Sequence, residues 1–312
     1  MPFIIILAAA AIICLLIMLY CCRVAFLSPD KIQNDIYNVP TEEQYLDQRD
    51  VMFEMIRSTA AIPSQPVEIT SHDGLRLSGR YYHRAEDAPL VICFHGYRGT
   101  AIRDFCGGAK LALDQGYNVL LIDQRAHGNS QGRFITFGIR ERRDCRSWVD
   151  WARERFGENT PMLLYGISMG AATVLMAAPD LPENVRGIVA DCPYSSPTDI
   201  IRKTCRDMGI PPVPAMPLIR AAARLFAGFS LSEITAVQAV QNTDIPIMII
   251  HGEDDRFVPC SMSAEIAAAN PRIRRYTFPG GGHGISYMKD KARYHRLVES
   301  FSAEVLRPES HN

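Results

Sequence analysis

Five uninterrupted apolar runs constrain the fold more than anything else in this chain. They are PLVICFHG (Pro89–Gly96), YNVLLID (Tyr117–Asp123), MLLYGI (Met162–Ile167), VRGIVADC (Val185–Cys192) and IPIMIIHG (Ile245–Gly252). A strand with one wet face alternates apolar and polar residues. Runs without alternation belong to strands covered on both faces, which is the situation in parallel sheets. Helical patterns fall between the runs. In RERRDCRSWVDWARERFG, Cys145, Trp148, Ala152 and Phe156 recur at three- and four-residue spacing, and Gly157 marks a stop. Ahead of the first run, VEIT and LRLSGRYY flank SHDG, whose Asp73-Gly74 is a hairpin turn signal. The expectation is an α/β fold: a mostly parallel sheet, an antiparallel hairpin at its edge, and helices on both faces.

The N-terminus follows different rules. FIIILAAAAIICLLIMLYCC, residues 3–22, holds no charged residue in 20 positions. As a helix it would reach roughly 30 Å, the thickness of a bilayer core. No Lys or Arg precedes it, and Tyr20, Cys21 and Cys22 make a poor cleavage site, so an uncleaved single-pass anchor is expected rather than a removed signal peptide. The charges that follow it set no orientation. Residues 23–66 read as a connector, in which TEEQYLDQRDVMFEMIRS carries apolar Tyr45, Val51, Met52 and Met55, the pattern of a helix resting on the main domain. That domain is expected over residues 67–307. Between residues 197 and 242 the strand signal disappears. Prolines cluster there and a helix is predicted over Leu218–Phe226. An insert of this length is expected to cap a pocket.

The formal net charge of -1 and scattered arginines exclude a nucleic-acid partner. Nine cysteines without a C-x-x-C pair form neither a zinc pattern nor a dense disulfide framework. The histidines lack metal-ligand spacing and no G-x-G-x-x-G follows a strand, so no metal and no cofactor are expected.

The chemistry concentrates at the ends of the runs. YGISMGAAT places Ser168 between Gly166 and Gly170, after a buried strand and before a helix. Glycines flanking a serine there permit the tight strand-to-helix turn that presents a nucleophile beside a helix N-terminus. A serine hydroxyl needs a base, and the base an orienting acid. HGEDDRFVP offers Glu253, Asp254 and Asp255 just beyond a strand, and FPGGGHGIS offers His283 in a glycine-rich loop. Serine, acid and histidine thus follow one another in the order expected of a strand-terminal catalytic triad. An oxyanion hole would take one donor from the backbone N–H after the nucleophile, at Met169. The other would come from the loop HGYRGT, at Tyr97 N–H.

HGYRG, DQRAHGNSQG, GISMG, HGEDDRFVP and GGGHG, in that order, resemble the α/β-hydrolase fold family. The nearest likeness is to its monoacylglycerol-lipase-like and serine-aminopeptidase-like branch, and it spans about Val67–Leu306. The resemblance implies that the acid is Asp255, the fifth position of H-G-x-x-D-x-x-V-P. It implies a cap formed by the insert before the acid strand, short in this chain. It also assigns Asp123, Arg125 and His127 to building a loop, with Ala126 standing where the family pattern has glycine. The function expected is a membrane-anchored serine hydrolase, carboxylesterase- or lipase-like, cleaving carboxylic esters of acyl or lipid-like small molecules. A peptidase or amidase with the same triad is the alternative, and a non-catalytic binding module a more distant one.

Overall fold

The computed structural model describes residues 2–28 and 35–307; residues 29–34 of the expected connector lie outside them. In chain order, helix α1 spans Pro2–Cys21 and continues as a wide π-helical turn over Cys22–Phe26. Helices α2 (Glu43–Leu46) and α3 (Arg49–Ala60) follow, then strands β1 (Gln65–Thr70), β2 (Arg76–Tyr82) and β3 (Leu90–Phe94). Next come α4 (Ala101–Asp104), α5 (Gly108–Asp114), β4 (Asn118–Ile122), α6 (Glu141–Phe156), β5 (Met162–Ile167), α7 (Met169–Ala177) and β6 (Val185–Asp191). The insert holds α8 (Pro197–Asp207), α9 (Pro212–Phe226) and α10 (Ala236–Val240). The chain then runs through β7 (Ile247–Gly252), α11 (Cys260–Ala269), β8 (Arg274–Phe278), α12 (Ser286–Lys289) and α13 (Lys291–Val305).

The sheet has eight strands among the described residues, in the order β1-β2-β4-β3-β5-β6-β7-β8. β1 pairs antiparallel with β2, and β2 with β4; every other pairing is parallel. Alternate residues of each central strand enter different cores. Leu90, Ile92 and Phe94 of β3 face a core shared with α6, α7, α9 and α10. Val91 and Cys93 face a second core built with α4, α5 and α13. Double coverage is what removes polar residues from these strands.

The insert contains one departure from the sequence expectation. α9 starts at Pro212, six residues before the predicted Leu218. Pro212 and Pro214 fall in the first turn, where no intrahelical N–H is needed, so they open the helix rather than prevent it.

Residues Phe3–Phe26 form one continuous helical stretch, long and apolar enough to cross a membrane; its most apolar window has a mean hydropathy of 3.1, and none of that window is buried. Its base is stitched into the fold. Phe26 is fully buried, with its ring set edge-on to Phe137 at 6.0 Å and to Phe229 at 5.2 Å. Ile135 N donates to Phe26 O (2.7 Å) and Ser28 N donates to Arg133 O (3.0 Å). The last turns of α1 lie against α9.

Candidate active site

β5 ends at Ile167 and α7 begins at Met169, leaving Ser168 alone to turn the chain. It does so at φ 55°, in the left-handed region that side chains avoid. The flanking glycines are required by contact. A Cβ at Gly166 would collide with the Gly170 carbonyl, and one at Gly170 with the Phe94 carbonyl. The turn is fixed by Ser168 N donating to Asp191 O (2.8 Å), which ties it to the next strand.

His283 and Asp255 converge on this serine. His283 Nε2 lies 3.0 Å from Ser168 Oγ, and Nδ1 lies 2.7 Å from Asp255 Oδ2. Asp255 is buried, and its Oδ1 accepts the N–H groups of Phe257 (2.9 Å) and Val258 (2.7 Å). Burial alone would raise this carboxyl; hydrogen bonds from His251 and His283, the His283 charge and the Val258 N–H instead hold it well below the usual carboxylate range. The other two acids of the loop turn away. Glu253 is exposed and accepts a hydrogen bond from Thr277 Oγ1 (2.6 Å), and Asp254 is exposed at the cavity rim. His251 is a partner that the sequence reading did not single out. Fully buried at the end of β7, its Nε2 lies 3.2 Å from Asp255 Oδ2 and 2.9 Å from Val258 O. Its place two residues before the acid loop was the available signal.

The loop after β3 runs beside Ser168, with the site of a Gly96 Cβ 3.5 Å from the serine Cβ. Gly96 N donates to Asp104 Oδ2 (2.8 Å), Arg98 N to His127 Nε2 (3.0 Å) and Gly99 N to Gly96 O (3.0 Å). Among the described residues, Tyr97 N and Met169 N have no protein acceptor. Two histidines shape this loop. Because His127 Nε2 accepts from Arg98 N, its proton sits on Nδ1 and goes to Arg125 O (2.9 Å). His95 Nε2 accepts likewise from Gln124 N (3.1 Å). Burial pushes both imidazoles down and keeps them neutral.

Arg125 carries the neighbouring loop. It is buried and forks onto Asp144 (2.5 and 2.6 Å) and Asp73 (2.9 and 3.0 Å). Ala126, the departure from the family pattern, has φ 62°. A glycine takes this backbone without penalty, so Ala126→Gly should stabilise the fold by about 0.5–1 kcal/mol, the left-handed cost less the entropy a glycine loses on folding. Thermal unfolding reads this as a rise of a few degrees in Tm; an unchanged or lower Tm would mean the turn carries no strain.

Ser168 and His283 open onto a cavity of about 800 Å³, walled also by Phe105, Met52 and Tyr287. Much of its wall comes from the connector, from Pro40 to Met55, whereas the insert contributes Lys203 and Asp207 of α8. The connector also grips the histidine loop. Gln44 Oε1 accepts from His283 N (3.1 Å), and Tyr45 donates its hydroxyl to His283 O (2.8 Å). Among the described residues, two clusters bring metal-capable side chains within 4.8 Å of one another, Cys192 with Asp255 and His283, and His72 with Asp73 and Asp144. Their carboxylates are already engaged, by His283 and by Arg125, so a cation would have to break these bonds.

The sequence profile described as the alpha/beta hydrolase fold matches residues 89–211, from β3 into the insert. Among known relatives is the uncharacterized protein YqkD of Bacillus subtilis, 27% identical over 255 residues, 80% of each chain. Another is the lysophosphatidylserine lipase ABHD12 of Xenopus tropicalis, 25% identical over 227 residues, 67% of this chain and 54% of that one. Among solved structures, an esterase of Pyrococcus furiosus superposes with a TM-score of 0.66 at 23% identity, covering 80% of this chain and 94% of the esterase. At that identity the structural likeness is one of fold, and the sheet order and serine turn described above agree with it. The profile match over residues 89–211 and the superposition together show the α/β-hydrolase fold in this chain.

Proposed function

We propose that this chain is a membrane-anchored serine hydrolase that cleaves carboxylic esters of acyl or lipid-like character. The observation that carries the proposal is the relay Asp255–His283–Ser168, with its two contacts of 2.7 and 3.0 Å, ending on a serine at strained backbone. In this reading Ser168 Oγ attacks the ester carbonyl carbon while His283 Nε2 takes its proton. The carbonyl oxygen becomes an anion held by the free N–H groups of Tyr97 and Met169. His283 then returns the proton to the departing alcohol, leaving an acyl-serine. Water then attacks the acyl carbon while His283 takes its proton, and His283 passes that proton to Ser168 Oγ as the acid leaves. Asp255 holds the Nδ1 proton and stabilises the imidazolium.

The preference for esters over amides draws on relatives, of which one is named a lipase and one an esterase. The anchor is supported by the length and hydropathy of the N-terminal helix and by the poor cleavage site at Tyr20–Cys22, while buried Cys22 and Phe26 tie its end to the core. The test is a panel of p-nitrophenyl esters of rising acyl length, run beside fluorophosphonate labelling. Turnover together with labelling at Ser168 is the expected result. Labelling without turnover on any ester, but with turnover of an anilide, would replace the esterase by an amidase. Absence of both would leave a binding module.

A further inference from the structure

Where α1 leaves the fold, a second apolar surface begins. α9 lies against the last turns of α1 and buries Met216, Ile219, Ala222 and Ala223 in the core. Its other side is apolar as well. At 3.6 residues per turn, Pro214, Pro217, Leu218, Ala221 and Leu225 share an outer arc of roughly 100°. Leu225 is 68% exposed, and Val213 at the start of the helix is 88% exposed. Met208 and Ile210, in the turn from α8, add to the patch. Exposed Arg220 and Arg224 flank the arc, and neither has an ion-pair partner among the described residues. Water explains neither the apolar arc nor its position. A lipid headgroup layer explains both, with leucine and proline facing the acyl boundary and arginines reaching phosphates.

What covers this face is indicated by its neighbour. α1 has the length and hydropathy to cross a bilayer, and it rises beside α9. The candidate site adjoins the same boundary. Asp207 lines the cavity and the next residue, Met208, belongs to the patch. On the other flank the Tyr97 hydroxyl donates to Ala25 O (2.9 Å) and Arg98 donates to Val24 O (2.8 Å), both at the foot of α1.

We propose that the α8–α9 turn and the outer face of α9 lie in the headgroup layer of the bilayer that α1 crosses, so that the cavity opens at the membrane surface and receives its acyl substrate from that leaflet. This rests on the anchored reading of α1, and the experiment separates the two. Full-length chain is placed in nanodiscs of phosphatidylcholine and phosphatidylglycerol, with and without brominated acyl chains. Three single variants add a tryptophan: Leu225→Trp on α9, Leu16→Trp on α1, and Glu299→Trp on α13, across the sheet. Relative to Glu299→Trp, bromine should quench the added emission of both Leu16→Trp and Leu225→Trp by about twofold. Quenching of Leu16→Trp alone would overturn the proposal and leave the anchor standing. Quenching of neither would overturn the anchor and the proposal together. A second measurement reads function. Leu225→Glu should leave turnover of a water-soluble short-chain ester unchanged while slowing hydrolysis of an ester embedded in vesicles by about tenfold. Equal effects on the two substrates would overturn delivery from the leaflet.

Discussion

Replacing Ser168 by alanine should lower kcat/KM on a p-nitrophenyl ester by about 10⁴–10⁶-fold and leave the unfolding midpoint within about 0.5 kcal/mol of the parent. The asymmetry follows from the contacts. Among the described residues the side-chain oxygen of Ser168 has one protein partner, His283 Nε2, whereas its backbone N–H and carbonyl hold the turn through Asp191 O and Ala172 N. Alanine keeps the backbone bonds and tolerates φ 55° no worse than serine. Asp255→Asn should cost about 10⁴-fold in kcat, because an amide facing His283 Nδ1 no longer fixes the proton there. The two losses will not add, since each removes the same relay. If Ser168→Ala retained more than about one hundredth of parent activity while resisting fluorophosphonate, the nucleophile would lie elsewhere. A large fall in Tm would instead mean that the hydroxyl is structural.

Much of this site is legible in sequence because its parts are local. The glycine–serine–glycine pattern encodes two backbone approaches within four residues of the serine or to the adjacent strand, and both exist. The apolar runs announce strands because both faces are covered by helices. Choosing among Glu253, Asp254 and Asp255 was not local. Of the three, Asp255 is the one that meets His283 Nδ1, 28 positions along the chain. The grip of Gln44 and Tyr45 on the His283 loop joins residues 239 and 238 positions apart, so the pattern that rests Tyr45 on the main domain does not say which loop it meets. The pocket wall followed the same logic. The proline-rich insert looked like the cap, while the charged connector supplies much of the wall. Phe26 was hidden for another reason, as an apolar residue just beyond an apolar helix carries no mark of being buried in a different place.

That hidden residue sets the second large effect. In the full-length chain, Phe26→Ala should cost about 3–5 kcal/mol, since it removes a fully buried ring from between Phe137 and Phe229. Differential scanning calorimetry in nanodiscs would read this as a fall in Tm of roughly 6–20 °C. The loss should also reach the chemistry. Tyr97 stacks on Phe137 at 5.2 Å, and its hydroxyl reaches Ala25 O, one residue before Phe26. The Tyr97 N–H, proposed as an oxyanion donor, therefore sits on a loop held by the foot of α1. Deleting an oxyanion donor outright costs about 10²–10³-fold in kcat, so loosening one should cost on the order of tenfold, with KM changed less. Tyr97→Phe tests the route, because it removes the hydroxyl while keeping the ring stack and the backbone N–H. It should lower kcat in the same direction with only a small change in Tm. A kcat unchanged by Tyr97→Phe would confine the role of the foot of α1 to stability. A kcat lowered by both variants would tie the N-terminal apolar helix to the stabilisation of the tetrahedral intermediate.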